Sequence, residues 1–163
     1  MSEIYTRKGQ VILLDECDAI LLGRLTWHIT SDGYVARNAP CGGGKYRTEM
    51  MHRVILGLEY GDPREGDHEN GNRSDNRRHN LRICTEAENA KNKGRYVNNL
   101  SGFKGVHKVG HYERWRARIR VDGVLVNLGY FDSPDAAYAA YCEAAARFHG
   151  AFANFGGGNG TAL

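Results

Sequence analysis

Short apolar runs separated by long polar ones set the element pattern of this chain. Near its start, QVILLD (10–15) is a continuous apolar run of the kind a buried strand shows. LTWHITSDGYVARNA (25–39) holds two strand-like halves around Ser31, Asp32 and Gly33, and CGGGKYRTEM (41–50) reads as a glycine-rich turn feeding another strand. MHRVILGLEYG (51–61) alternates only weakly and fits a short helix or a strand equally. Then apolar residues almost vanish: GDHENGNRSDNRRHNLR (66–82) cannot build a core. After it, Thr85-Glu86-Ala87-Glu88 has the form of a capping box, so a helix is predicted from Thr85 with Asn89 in or near its first turns.

The second half patterns more cleanly. KNKGRYVNNLSG (91–102) has a linker's composition. GFKGVHK (102–108), RWRARIRV (114–121) and VLVNLGYF (124–131) read as three strands, with Asp122-Gly123 as a two-residue hairpin turn. Ser133-Pro134-Asp135 supplies an N-cap, a first-turn proline and a dipole-matched acid. The alanine-rich helix that follows stops at Gly150, with Ala137, Tyr141, Ala144 and Phe148 on one face. Three antiparallel strands with a helix across one face are expected.

Alternation then sorts the arginines. Trp115, Ala117, Ile119 and Val121 point toward that helix, while Arg114, Arg116, Arg118 and Arg120 point away. Four like charges repeating about every 7 Å along a strand repel one another unless something anionic lies across them. From residue 95 to 130 there are seven Lys/Arg against two acids, whereas the first fifty residues balance six against six. A local basic stripe of this kind is the footprint of a phosphate-binding surface. Lys104, Lys108, His107 and Asn127, on the flanking strands, join Arg116, Arg118 and Arg120 as the expected nucleic-acid-binding set, DNA-binding by the resemblance given below.

At 163 residues the chain has room for one ordinary domain or two small ones. Cys17, Cys41, Cys84 and Cys142 are widely spaced without a C-x-x-C pair, which argues against a four-cysteine zinc site and for free thiols in a reducing compartment. No signal peptide opens the chain and no apolar run spans a bilayer, so a cytoplasmic location without membrane association is expected.

The polar stretch carries the chemistry. Hydrolysing a phosphodiester needs a water deprotonated near neutral pH and a cation on the departing oxygen. His68 titrates in the right range to be the base, and Asp67 beside it offers a hard anionic oxygen to one Mg²⁺ or Mn²⁺ ion. In an extended segment the two side chains diverge, so they can serve metal and water separately. Asn89 offers a neutral second ligand. His28, His79, His107, His111 and His149 are assigned to no metal. Asn70, Asn72 and Asn76 read as turn formers, and Asp75 as a loop brace.

MHR (51–53), DHENGN (67–72), DNRRHNLR (75–82) and TEAENAKN (85–92) together resemble HNH homing endonucleases of the kind common in phages. SGFKGVHK (101–108), RWRARIRVDG (114–123), LGYFDSPDAAYAAYCEAA (128–145) and FHGAFANF (148–155) resemble the APETALA2-type, or ethylene-response-factor, DNA-binding domain. The resemblance implies an α+β chain. A β-rich N-terminal segment with a ββα-metal nuclease core (1–94) precedes a three-stranded sheet on one helix (95–155) and a flexible tail (156–163). It implies a site-specific, metal-dependent DNA endonuclease, monomeric, acting on double-stranded DNA without a protein partner, in a bacterial host if phage-encoded. Asp67 and Asn89 fall on the metal-ligand positions and His68 on the general base. Asn80 falls on the central asparagine that ties the base-bearing loop, and His52 on a phosphate-contacting or supporting position in the MHR strand. Gly66 stands where the family has an apolar strand residue, which predicts a loosened first strand. Asn127 stands where plant members have tryptophan, so their target sequence does not carry over. The competing reading is an inactive DNA-binding regulator on the same scaffold; the complete Asp67, His68, Asn80 and Asn89 set argues against it.

Overall fold

The computed structural model describes residues 2–94, 99–110 and 113–156. His111, residues 95–98 of the expected linker and the expected tail beyond Gly156 lie outside the described residues. The fold is of mixed helix and sheet, and the chain divides into two compact units, Met1–Glu86 and Ala87–Leu163.

In the first unit, β1 (Ser2–Tyr5) and β2 (Val11–Leu14) form an antiparallel pair in which Ile4 faces Ile12. The QVILLD run is that second strand, and its Ile12 and Leu14 are fully buried. Next comes α1 (Glu16–Leu22), a helix absent from the all-strand expectation for this region. Its acids Glu16 and Asp18 occupy the first turn, where the helix dipole favours them. Only Ala19 and Leu22 pack on the core, while Ile20 and Leu21 are exposed, too short a pattern to show a helical period. A three-stranded sheet of β3 (His28–Ile29), β4 (Val35–Pro40) and β5 (Tyr46–Met50) follows in that spatial order.

MHR, which the family resemblance puts in a strand and whose weak alternation fits a helix equally, opens α2 (Met51–Ile55). Met51 and Ile55 lie one turn apart and enter the core together with Ile12, Leu14, Trp27, Val35 and Leu81. The polar stretch is bounded by an antiparallel pair, β6 (Glu65–His68) and β7 (Leu81–Cys84). Gly66 does not loosen β6, which runs through it opposite Ile83. A Cβ there would lie 2.6 Å from His52 Cδ2. The missing side chain is what lets the imidazole rest on the strand.

In the second unit, α3 (Glu86–Asn92) begins directly after Thr85, as the capping pattern predicts, and all but its first residue belong to this unit. Asn154 Nδ2 donates to the Asn92 carbonyl at 2.9 Å and Lys91 pairs with Asp122 at 3.7 Å. Then β8 (Val106–Lys108), β9 (Trp115–Val121) and β10 (Val124–Phe131) make an antiparallel sheet with β9 central. Asp122 and Gly123 both take positive φ (47° and 83°), the geometry of a type I′ hairpin turn.

Across one face lies α4 (Pro134–His149), whose cap Ser133 Oγ accepts from the Ala136 amide at 3.1 Å. Its buried stripe is Ala137, Tyr141, Ala144, Ala145 and His149; Phe148, expected on that face, is exposed. At 3.6 residues per turn a stripe continues at either three or four residues, and here it advances from 141 to 145 to 149. The His149–Arg120 carbonyl contact at 2.9 Å anchors that choice.

Candidate functional site

The turn after β2 and the loop between β6 and β7 are built as one piece. The Leu13 amide donates to the Ser74 carbonyl and the Asn76 amide to the Leu13 carbonyl, both at 2.9 Å, so β2 edges the polar stretch. Arg78 donates to both oxygens of Asp18 at 2.7 and 2.8 Å, tying the same loop to α1. Within the loop, Asn70 Oδ1 accepts from the Asn72 amide (2.7 Å) and Asn72 Oδ1 from the Ser74 amide (3.1 Å). These are the turn-forming bonds expected of them.

Asp75 and Asn80 are the buried braces. Asp75 is 1% exposed, is gripped by Arg77 Nε and Nη2 at 2.7 Å each, and accepts from Asn70 Nδ2 at 3.0 Å. The Arg77 guanidinium holds its carboxyl below the usual carboxylate range. Asn80 donates from Nδ2 to the Asp75 carbonyl at 2.7 Å and accepts at Oδ1 from the Asn70 amide at 3.0 Å. One asparagine therefore ties both ends of the loop that follows His68.

His68 itself is buried at the end of β6. Asn76, read from sequence as a turn former, is fully buried and places Oδ1 3.2 Å from His68 Nε2. Its Nδ2 donates to the Arg73 carbonyl at 3.3 Å, which fixes the amide orientation and leaves Oδ1 as the acceptor toward the ring. His68 is then the Nε2–H tautomer with its lone pair on Nδ1. Burial lowers its pKa, only partly offset by the Asn76 bond and the Asp67 charge, so at neutral pH it is an unprotonated imidazole. That is the state a general base requires.

Asp67 points the other way along β6, as alternation demands. It faces Arg82 across the β6–β7 pair, and Arg82 Nε and Nη2 both reach its Oδ2, at 2.8 and 2.7 Å. Pairing across fifteen residues is invisible to local pattern, and this arginine was not anticipated. Among the described residues no cluster of three or more His, Cys, Asp or Glu could hold a metal ion. The expected set, one carboxylate and one amide, is smaller than that. Asn89 lies half-buried on α3, in the second unit.

His52 completes a ring cluster. Its centroid is 5.0 Å from that of His68 and 5.4 Å from Tyr34, which is 6.0 Å from His68. His52 is 6% exposed, and burial, with His68, Arg53 and Arg73 nearby, lowers its pKa to about 3. That shift favours the neutral ring, packed beside His68 and Tyr34. The depressed value also sets a sign for stability. Between pH 6.5 and about 3 the unfolded chain protonates this imidazole and the folded chain does not. Stability is fully present above pH 6.5 and falls as pH drops through that window, by at most about 1.4 kcal/mol per pH unit from this group. Urea unfolding at pH 7 and 5, for the wild type and His52→Phe, measures it. A pH dependence equally steep in both proteins would refute it.

In the second unit, register places the basic row. Arg116 faces His107 on β8 and Tyr130 on β10, Arg118 faces Asn127, and Arg120 faces Leu125. The opposite face carries Ala117 and Ile119 into the core under α4. Arg120 is fastened to its own turn through the Gly123 carbonyl (2.6 Å), and Arg114 lies 3.4 Å from Asp132. Two expected members fall outside the row. Lys108 pairs in register with Trp115, on the other face. Lys104 Nζ donates to the Lys91 carbonyl at 3.2 Å and sits 5.9 Å from the Tyr141 ring centroid, and burial brings its pKa to about 8. All four cysteines are free thiols, and no helix among the described residues is long and apolar enough to cross a membrane.

The chain matches no curated protein and no solved structure. Residues 49–91, which span α2, β6, the braced loop, β7 and α3 as far as Lys91, match the family model of HNH endonucleases.

Proposed function

We propose that this chain is a metal-dependent DNA endonuclease of the homing type, hydrolysing phosphodiester bonds with His68 as general base. The observation that carries the reading is His68 itself: a buried, neutral imidazole at the strand end of the family-matched segment, its tautomer set by Asn76. Asn80 holds the base-bearing loop and His52 backs the ring. One Mg²⁺ or Mn²⁺ ion would be held by Asp67 and Asn89. Their oxygens suit a hard cation. When bound, such an ion stabilises charge on the departing oxygen.

The second unit is read as the DNA reader, on its sequence resemblance to the APETALA2 type and its three-stranded sheet backed by one helix. Its row is His107, Arg116, Arg118, Arg120 and Asn127; Lys104 and Lys108 are left outside it. We expect the chain to act on duplex DNA as a monomer. Replacing Arg116 and Arg118 together with alanine should weaken duplex binding and lower the slope of log K against log salt by about 2. Unchanged slope and affinity would remove the row from the interface.

The metal assignment is tested by Asp67→Ala and Asn89→Ala. The first should lose cleavage in a way that raised Mg²⁺ or Mn²⁺ restores little. The second should be milder and recover in part, because water can replace a neutral amide oxygen. If both variants cut and respond to metal as the wild type does, these residues do not hold it.

A further inference from the structure

The arginines of the nuclease-like loop differ in one respect. Arg77 is matched by Asp75, Arg78 by Asp18 and Arg82 by Asp67, each through an ion pair at 2.7 Å. Arg53 donates to the backbone carbonyls of Arg64, Glu59 and Asp62. Arg73 has no carboxylate partner among the described residues. Its guanidinium carbon instead lies 4.3 Å from the centroid of the Tyr34 ring, and its Nη1 donates to the Asp32 carbonyl. The group is thus oriented by an aromatic face and a backbone oxygen while its charge stays uncompensated.

Tyr34 is the ring that contacts both His52 and His68. It is set by its own turn: its amide donates to Thr30 Oγ1 at 3.1 Å, and its carbonyl accepts from the Thr30 amide at 2.9 Å. That turn, between β3 and β4, lies outside the family-matched residues. The ring that carries Arg73 on one side thus lies 5.4 Å from His52 and 6.0 Å from His68, centroid to centroid. His52 is buried in the ring cluster, whereas Arg73 is exposed beside it. A guanidinium presents a planar fork of donors that matches phosphate oxygens, and Tyr34 has already restricted its freedom.

We propose that Arg73, held over Tyr34, is a phosphate-binding residue of the candidate active site, contacting a non-bridging oxygen of the scissile phosphodiester, with Tyr34 as its positioning residue. The inference rests on the nuclease reading, and its test separates the two. The full chain is assayed for single-turnover cleavage of a duplex and for duplex binding across salt concentrations, as wild type, Arg73→Ala, Arg73→Lys, Tyr34→Ala and Tyr34→Phe.

Expected for Arg73→Ala is a loss of roughly 10²-fold in the cleavage rate at saturating DNA, the scale of removing one transition-state donor, with an unchanged melting temperature. Its binding slope against log salt should fall by about 1. Arg73→Lys recovers part of the rate, because it returns the charge without the fork. Tyr34→Phe keeps the aromatic face and stays near wild type, whereas Tyr34→Ala follows Arg73→Ala. A cleavage rate for Arg73→Ala within threefold of wild type, or a loss matched by a lowered melting temperature, overturns the proposal and leaves the nuclease reading standing. If the wild type binds but does not cut, the nuclease reading falls, and the salt slope alone then decides whether Arg73 meets a phosphate. An unchanged slope in that case overturns the proposal as well.

Discussion

Replacing His68 with alanine should reduce DNA cleavage by roughly 10²–10⁴-fold, the range general-base catalysis contributes, while leaving duplex affinity within a few-fold of wild type. The two halves of that expectation have separate causes. The base acts only on the attacking water, so its loss is felt in the transition state and not in the bound ground state. Affinity for DNA comes mostly from phosphate contacts made by cations, and a neutral buried imidazole contributes none. The neighbour left behind is Asn76, whose Oδ1 would lose its Nε2 partner. Some stability is therefore lost too, and the comparison must be made below the variant's melting temperature. Measuring single-turnover rates and binding constants on one duplex settles it. A variant that cuts at a tenth of the wild-type rate or better would take His68 out of the base role.

Asn80→Ala should be the most damaging change among the loop braces, because one side chain satisfies the Asp75 carbonyl and the Asn70 amide together. Asn80 is 3% exposed, so water cannot easily replace it at both ends. The buried Asp75 carbonyl left unpaired costs roughly 1–3 kcal/mol, and the part-buried Asn70 amide adds less than that. Activity should fall beyond what unfolding explains, since the loop follows directly from His68. The Asn70 amide belongs to the first turn after the base, and slack there moves the ring relative to its target. Urea unfolding gives the first quantity and cleavage at low temperature the second. A loss of stability under about 0.5 kcal/mol would show that Asn80 is not the brace that its bonds describe.

How much of this was legible in the sequence depended on range. The β9 row was readable because alternation is a property of neighbours, and Asp122-Gly123 and Ser133-Pro134 announce a turn and a cap within a few residues. The short helices were less so: α1 reads as strand because it buries too few apolar side chains to show a period, and in α2 the spacing of Met51 and Ile55 suits a helix or a strand alike. In the candidate site, the chemical character of Asp67 and His68 was visible, but their partners were not. Arg82 reaches Asp67 through β-pair register, Asn76 reaches His68 through the closing of a loop, and Tyr34 arrives from a turn more than thirty residues upstream. No local period encodes such meetings. Gly66 shows the same gap in reverse, since its lack of a side chain looked like a weakness until the His52 ring occupied the space. Phe148 was misplaced by a single residue of helical phase, which the His149 contact decides from a distance.

The central claim, that this chain cuts DNA with a bound divalent ion, is tested most directly by incubating the purified chain with supercoiled plasmid in Mg²⁺, with and without chelator. The account predicts open-circular or linear product that accumulates with Mg²⁺, stops when chelator is added, and resumes when Mg²⁺ is restored in excess. Plasmid that is bound and shifted yet stays supercoiled in Mg²⁺ and Mn²⁺ alike would contradict it, and would assign the same scaffold to a protein that occupies DNA without cutting it.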